Sequence, residues 1–295
     1  MRHILRFVPF SSLLLAWACA QSLALVPVSA PTSSRVDAHQ VHSVLLDGSI
    51  RVLVYLPAGY TASERYPVLY LLHGLPGTPD ALFQNLDLAN ALDGLIASGD
   101  LPATIVVAPT GGPTSATDTE WSDSFVDPSQ RWGSFLSAEL IPWVDRSFST
   151  CADRSDRAVA GLSMGAFGAM NLGLKNRDLF GAVSAWSGYY VANTPSVEGH
   201  PGTAAWKADS PLRYVSGLHP TLAKDPIRMS FYVGASDRFA ASNRALDRVL
   251  MRLGVPHRFR FLQGGHDWTL WSDQLSDELT WAGRGFSCTP VSNAP

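Results

Sequence analysis

Gly161-Leu162-Ser163-Met164-Gly165 stands between Arg157-Ala158-Val159-Ala160, which reads as a short buried strand, and the small-residue run Ala166 to Met170, which reads as a helix. A Gly-x-Ser-x-Gly turn at such a junction exposes the serine hydroxyl on a sharp bend, so Ser163 is a candidate nucleophile. The flanking glycines tolerate a strained turn and leave space around the hydroxyl. The competing interpretation is a glycine-rich turn in a close-packed core. Because the pentapeptide arises by chance in roughly one chain in ten of this length, its neighbours and partners must decide between the two.

A serine hydroxyl is a poor nucleophile until a base takes its proton, so a histidine and a carboxylate are expected at strand ends downstream. Met229 to Gly234 has a strand pattern and delivers Asp237 just beyond its carboxyl end. Arg258 to Leu262 is the next strand pattern, and it runs through Gln263-Gly264-Gly265 into His266. Asp237 precedes a helical stretch from about Ala240 to Leu253, so a capping role competes with that of triad acid. Asp267 is a second acid, but it adjoins His266 and would have difficulty reaching the ring nitrogen that faces away from the serine. Of the eight histidines, His266 is the best placed, because the paired glycines before it permit a bend back across the sheet edge.

Charge developing on a carbonyl oxygen needs two fixed donors, one of them normally the backbone N–H of the residue after the nucleophile, here Met164. The apolar strand Tyr66 to Leu72 runs into His73-Gly74-Leu75-Pro76-Gly77, where Leu75 is the expected second donor. Pro76 has no N–H to offer.

These stretches resemble the esterase D and antigen 85 group of α/β-hydrolases, which also contains secreted feruloyl and acetyl xylan esterase domains. The resemblance rests on Val54-Tyr55-Leu56-Pro57 with Gly59-Tyr60, Tyr66 to Gly74, Gly161 to Gly165, Phe180-Gly181-Ala182-Val183 leading to Ser187-Gly188, and Gly265-His266-Asp267-Trp268 with Trp271. It implies an α/β-hydrolase fold with a mostly parallel central sheet and helices on both faces. It also implies Ser163 as nucleophile, Asp237 as acid, His266 as base and the Leu75 and Met164 amides as oxyanion donors. The chain order Ser, Asp, His is the order of that fold. One departure stands out: antigen 85 mycolyltransferases carry Asp-Gly-Leu-Arg where this chain has His73-Gly74-Leu75-Pro76, and they commonly use Glu as the triad acid. The expected activity is therefore serine ester hydrolysis, with acyl transfer to a sugar hydroxyl as the alternative. A catalytically silent cell-wall protein on the same fold is a third reading, opposed by the filled triad positions.

The 295 residues, 46% of them hydrophobic, suit one large domain whose sheet is covered on both faces. A formal net charge of −3 gives no reason to expect nucleic acid as a partner. A monomer acting on a small-molecule, lipid or sugar ester is expected, and the Ser-His-Asp chemistry requires neither metal nor cofactor.

Arg2 and Arg6 precede an apolar run, Phe7 to Ala20, that is short for a membrane span and suited to a signal peptide. Residues 1–20 are read as that signal, with cleavage after Ala18-Cys19-Ala20, and 21–38 as a Pro/Ser/Ala-rich tether. Residues 39–287 form the catalytic domain and 288–295 a tail. Lipidation of Cys19 is the alternative processing route and would fix the chain to the cell envelope, although Ala16 replaces the usual lipobox Leu. Either route leaves Cys151 and Cys288 as an even pair, consistent with a disulfide in an oxidising, extracytoplasmic compartment.

Val41 to Leu46 and Arg51 to Leu56 are expected as opening antiparallel strands, with Thr104 to Ala108 and Ala182 to Trp186 as buried ones. Between Ser187 and Pro226 the chain is long, irregular and aromatic, as a cap over a pocket would be. Trp268 and Trp271 lie one helical turn apart and are read as helix-face packing beside the base. Fold alone does not choose the ester.

Overall fold

A computed structural model describes residues 32–288 of the chain. Its centre is an eight-stranded sheet of order β1-β2-β4-β3-β5-β6-β7-β8. The strands are β1 (Arg35–Ser43), β2 (Gly48–Leu56), β3 (Val68–Leu72), β4 (Ile105–Pro109), β5 (Arg157–Leu162), β6 (Ala182–Trp186), β7 (Arg228–Gly234) and β8 (Arg258–Leu262). β1 and β2 pair antiparallel, β2 meets β4 antiparallel, and every later pairing is parallel.

Period-two alternation divides the apolar side chains between the two faces. From β3, Val68, Tyr70 and Leu72 enter one core layer, while Leu69 and Leu71 enter the other. Each fully buried aliphatic side chain of this kind contributes about 1.5–3 kcal/mol relative to exposure. The principal helices are α1 (Pro79–Asn85), α2 (Leu88–Ser98), α3 (Met164–Lys175), α4 (Ala240–Arg252) and α5 (Trp268–Gly283). Leu88 and Leu92 of α2 and Leu275 and Leu279 of α5 pack on one face; Ala169 and Met170 of α3 and Leu246 and Leu250 of α4 pack on the other.

The order of winding fixes where a site can form. After β3 the chain lays β4 on one side of it and then returns to lay β5 on the other. Loops leaving the carboxyl ends of β3 and β5 therefore diverge at a switch point, where open α/β sheets place their ligands. Leu72 is in register with Gly161, so the loop beginning at His73 and the turn at Ser163 lie side by side.

Two expectations need correction. The first strand runs from Arg35 to Ser43 rather than from Val41 to Leu46, and it takes in the last four residues read as tether. β1 is an edge strand, held by its backbone ladder to β2 and largely exposed except at Val41 and Ser43, so its sequence lacks an apolar signature. The stretch from Ser187 to Pro226 is not irregular throughout. It contains short helices at Pro195–Glu198, Ala204–Ala208, Pro211–Tyr214 and His219–Lys224. The proposed signal peptide, Cys19 and the tail beyond Cys288 lie outside the described residues.

Cys151 and Cys288 are joined by a disulfide with Cα atoms 6.4 Å apart. Cys151 N donates to Tyr66 O at 2.8 Å. The bridge therefore sits at the amino ends of β3 and β5, opposite the end that carries Ser163.

Candidate active site

Ser163 joins β5 to α3 with φ 56° and ψ −117°, a left-handed conformation that costs a residue with a Cβ about 1–3 kcal/mol. The flanking glycines make the bend possible through close backbone approach. A Cβ at Gly161 would lie 2.4 Å from Gly165 O, and one at Gly165 would lie 2.1 Å from Leu72 O. The Ser163 N–H donates to Trp186 O at 2.9 Å, anchoring the turn to the end of β6.

The loops after β7 and β8 bring the two downstream residues to this turn. Ser163 Oγ and His266 Nε2 are 2.8 Å apart, and His266 Nδ1 and Asp237 Oδ2 are also 2.8 Å apart. Asp237 is 5% exposed, and its second oxygen accepts the Phe239 N–H at 2.8 Å. A carboxylate can only accept here, so Nδ1 carries the hydrogen and the Nε2 lone pair faces the serine hydroxyl. Such an array can draw the proton from the hydroxyl while the buried carboxylate offsets the charge that forms on the ring.

Asp267 does other work. Its side chain accepts the Leu270 N–H at 3.0 Å as N-cap of α5 and makes no bond to His266. Phe239 and Trp271 meet the His266 ring edge-on, with centroids 5.2 and 5.1 Å away. Trp268 packs edge-on against Trp271 at 5.1 Å. The two tryptophans thus combine helix packing with support of the imidazole. Beyond Phe239, Tyr189 bridges to Phe167 by ring stacking at 4.9 Å, forming an aromatic wall from α3 and the segments that follow β6 and β7.

Of the two expected amide donors, Met164 directly follows the serine and Leu75 follows Gly74, whose backbone approaches it. Met164 is the first residue of α3, where the N–H has no intrahelical partner. Leu75 is half-buried in the loop after β3, and its peptide bond to Pro76 is cis. A Cβ at the neighbouring Gly74 would come within 3.0 Å of Ser163 Cβ, which measures how closely the loop approaches.

This loop is clamped by residues the sequence did not single out for that task. His73 is 4% exposed; its Nε2 accepts the Gly111 N–H at 3.0 Å and its Nδ1 lies 2.8 Å from Gly74 O. The ring is therefore the Nδ1–H tautomer, bonded at both nitrogens. Burial pushes its pKa down, and the bond to Gly74 O opposes this only in part. Trp121 Nε1 donates to His73 O at 3.1 Å. Glu120 and Trp121 are buried and hold φ values of 49° and 55°, a strained pair with no signature in hydrophobic periodicity.

Residues 43–282 match the protein family described as "Putative esterase". Esterase Rv1288 of Mycobacterium tuberculosis (strain ATCC 25618 / H37Rv) is 33% identical over 245 residues, which cover 73% of this chain and 52% of that protein. The chain thus spans about half the length of this curated relative. The MPT51/MPB51 antigen of Mycobacterium bovis is 27% identical over 251 residues, covering 75% of this chain and 80% of the antigen. Among solved structures, a ferulic acid esterase superposes with TM-score 0.78 and 30% identity, over 86% of this chain and all of that one. The family match over residues 43–282, together with the mostly parallel eight-stranded sheet, shows that the chain belongs to the esterase family, on the α/β-hydrolase fold.

Proposed function

We propose that this chain hydrolyses carboxylic esters through an acyl-enzyme on Ser163. The observation that carries the reading is the pair of 2.8 Å contacts linking Ser163, His266 and Asp237. Ser163 Oγ attacks the ester carbonyl as its proton passes to His266 Nε2, and the Met164 and Leu75 amides hold the oxyanion. Collapse of the tetrahedral intermediate breaks the bond to the alkoxy oxygen, which leaves with the proton from His266. Water then gives a proton to His266 and attacks the acyl carbon, releasing the acid and restoring the serine. Two donors of this kind are each worth on the order of 3 kcal/mol in serine hydrolases.

Hydroxycinnamoyl esters stand first among the substrate classes, supported by the similarity to a ferulic acid esterase and by the aromatic wall of Phe167, Tyr189 and Phe239 beside the base. Export is part of the proposal, supported by the basic and apolar leader and by the disulfide. The test is a panel of p-nitrophenyl esters from acetate to palmitate together with methyl ferulate, assayed with the wild type and Ser163→Ala. Turnover that is lost in the variant supports the reading; equal turnover in both refutes it.

A further inference from the structure

A cavity of about 500 Å³ opens at the amino ends of β7 and β8, lined by the apolar side chains of Leu222, Ile227, Met229 and Trp281 and by Arg228 and Arg258 among others. Arg228 is the first residue of β7, so at about 3.3 Å per residue it lies roughly 20 Å along the strand from Gly234, where the chain leaves for Asp237. The cavity and the catalytic turn are therefore at opposite ends of the sheet.

Arg228 carries a charge without a counter-charge. Its guanidinium donates to Trp281 O at 3.2 Å and Ala282 O at 2.7 Å, capping the last turn of α5, and its Cζ lies 5.0 Å from the centre of the Trp281 ring. Both acceptors are neutral carbonyls. Burial holds the guanidinium's pKa below its ordinary value, and among the described residues no neighbouring acid raises it again. Charges taken out of water are normally paired. The side chain is half-buried rather than enclosed, and its Nε, which has no hydrogen-bond partner among the described residues, is not sealed from solvent as the Nε atoms of Arg157 and Arg260 are. The helix cap thus leaves one edge of the guanidinium open to a ligand. The other polar groups of the lining are already engaged. Arg258 pairs with Asp277, which stands outside the cavity, and the His257 ring nitrogens face Val255 O at 2.8 Å and Asp247 Oδ1 at 3.0 Å.

We propose that this cavity binds an apolar monocarboxylate, with its carboxylate on Arg228 and its hydrocarbon body on the apolar lining. The class follows from charge and surface. A cation would meet two guanidiniums and, in the lining, no Asp or Glu. A neutral apolar molecule would leave Arg228 without a counter-charge, and a small hydrated anion such as phosphate would leave the apolar lining uncovered. A carboxylate matches the guanidinium fork through two parallel N–H to oxygen bonds, here from Nε and a free Nη hydrogen. Pro226 and Pro256, exposed at the rim, and half-buried Trp281 carry the apolar surface outward from the floor of Ile227 and Met229. The volume lies within the usual range for small-molecule sites. An apolar acid is also what the ester hydrolysis proposed above releases, but the site rests on its own residues and stands whether or not Ser163 cleaves esters.

The test is isothermal titration calorimetry on the full chain at neutral pH with octanoate and trans-cinnamate, an aliphatic and an aromatic acid, and with octylamine and acetate as controls. At least one of the two acids should bind, and the stronger identifies the body that the cavity takes; octylamine and acetate should give no measurable binding. Arg228→Gln, which keeps amide donors for the α5 carbonyls and removes the charge, should weaken binding by about tenfold or more, the loss expected for a hydrogen bond between charged groups. Pro256→Trp, which sets an indole across the exposed rim, should weaken it by a similar factor. Circular dichroism melts report whether each variant is folded, and Pro256→Trp keeps the test decisive if Arg228→Gln is not. Failure of both acids to bind, equal binding of octylamine, or undiminished binding in folded Arg228→Gln or Pro256→Trp, as a site at the catalytic end would give, would each overturn the proposal.

Discussion

His73 and Gly111 are hydrogen-bonded across two loops, the Gly111 N–H donating to Nε2 at 3.0 Å while the other ring nitrogen bonds Gly74 O. The ring thereby ties the loop after β4 to the loop that carries Leu75. Removing it should loosen Leu75, the proposed oxyanion donor, without touching Ser163, Asp237 or His266. His73→Ala is expected to lower kcat by about ten- to a hundredfold with little change in KM, because the interaction lost acts mainly in the transition state. His73→Gln, which can still accept from Gly111, should recover part of the loss. Steady-state kinetics with p-nitrophenyl acetate decide; a change confined to KM would place the ring in substrate binding instead.

The same histidine gives a pH dependence of stability. Its folded pKa lies below the ordinary value of 6.5 because of burial, so on acidification the unfolded chain binds the proton first. The resulting stability is present at neutral pH and is lost progressively as the pH falls below about 6.5 toward the folded value. Thermal melts from neutral to mildly acidic pH should therefore show a smaller decline in His73→Gln than in the wild type. Equal declines would mean that other groups account for the acid sensitivity.

Asp237 and Asp267 should separate cleanly by mutation. Asp237→Asn leaves His266 with the wrong tautomer and is expected to reduce kcat by about 10⁴-fold. Asp267→Asn should leave kcat nearly intact, since Asn also caps helices well, and Asp267→Ala should cost about 1 kcal/mol of stability through the lost cap to Leu270. Kinetics and chemical denaturation on the three variants check the division; a large kcat loss in Asp267→Asn would reverse the two roles.

Much of the site is legible in the sequence because it is punctuated at strand ends. Ser163, Asp237 and His266 each follow an apolar strand pattern and a glycine, and the three arrive in the chain order of the fold. Other features have no local signature. β1 is held by backbone pairing at a sheet edge, so polar residues such as Asp37 and Gln40 fill it without penalty. Glu278 reads as a solvent-facing helical residue, yet it is 1% exposed and accepts from Ser184, Ser230 and Arg260. Those donors come from three different strands, and only the assembled sheet brings them together. The Glu120 and Trp121 turn is likewise invisible, because its strained backbone is compensated by contacts with distant His73 and Asn193.

The disulfide closes a loop with a sequence separation of 137 residues, at the end of the sheet away from the serine. Reduction, or Cys151→Ser with Cys288→Ser, should lower stability by about 2–5 kcal/mol while leaving ester hydrolysis at room temperature within twofold or so. Denaturant titration with and without reductant measures the first, and initial rates measure the second. Loss of activity without loss of stability would show that the bridge bears on the catalytic end.

The proposed acyl-enzyme on Ser163 could be released by water or by a sugar hydroxyl. With His73 buried in loop contacts and Pro76 beside it, the loop after β3 offers no charged pair to hold an incoming disaccharide. Each missing buried partner costs the acceptor about 1–3 kcal/mol, so water should prevail. With a soluble ester donor and millimolar trehalose, chromatography should find free acid as nearly all of the product. Predominant acyl-trehalose would establish a transferase.

Ser163, 2.8 Å from His266 Nε2, is the proposed nucleophile on which ester hydrolysis depends. Labelling with a fluorophosphonate followed by peptide mass spectrometry tests it most directly. One phosphonyl adduct is expected, on the peptide containing Ser163, with labelling lost in Ser163→Ala and slowed by several orders of magnitude in His266→Ala. An adduct on another residue, or a Ser163→Ala protein that still hydrolyses esters at the wild-type rate, would contradict it.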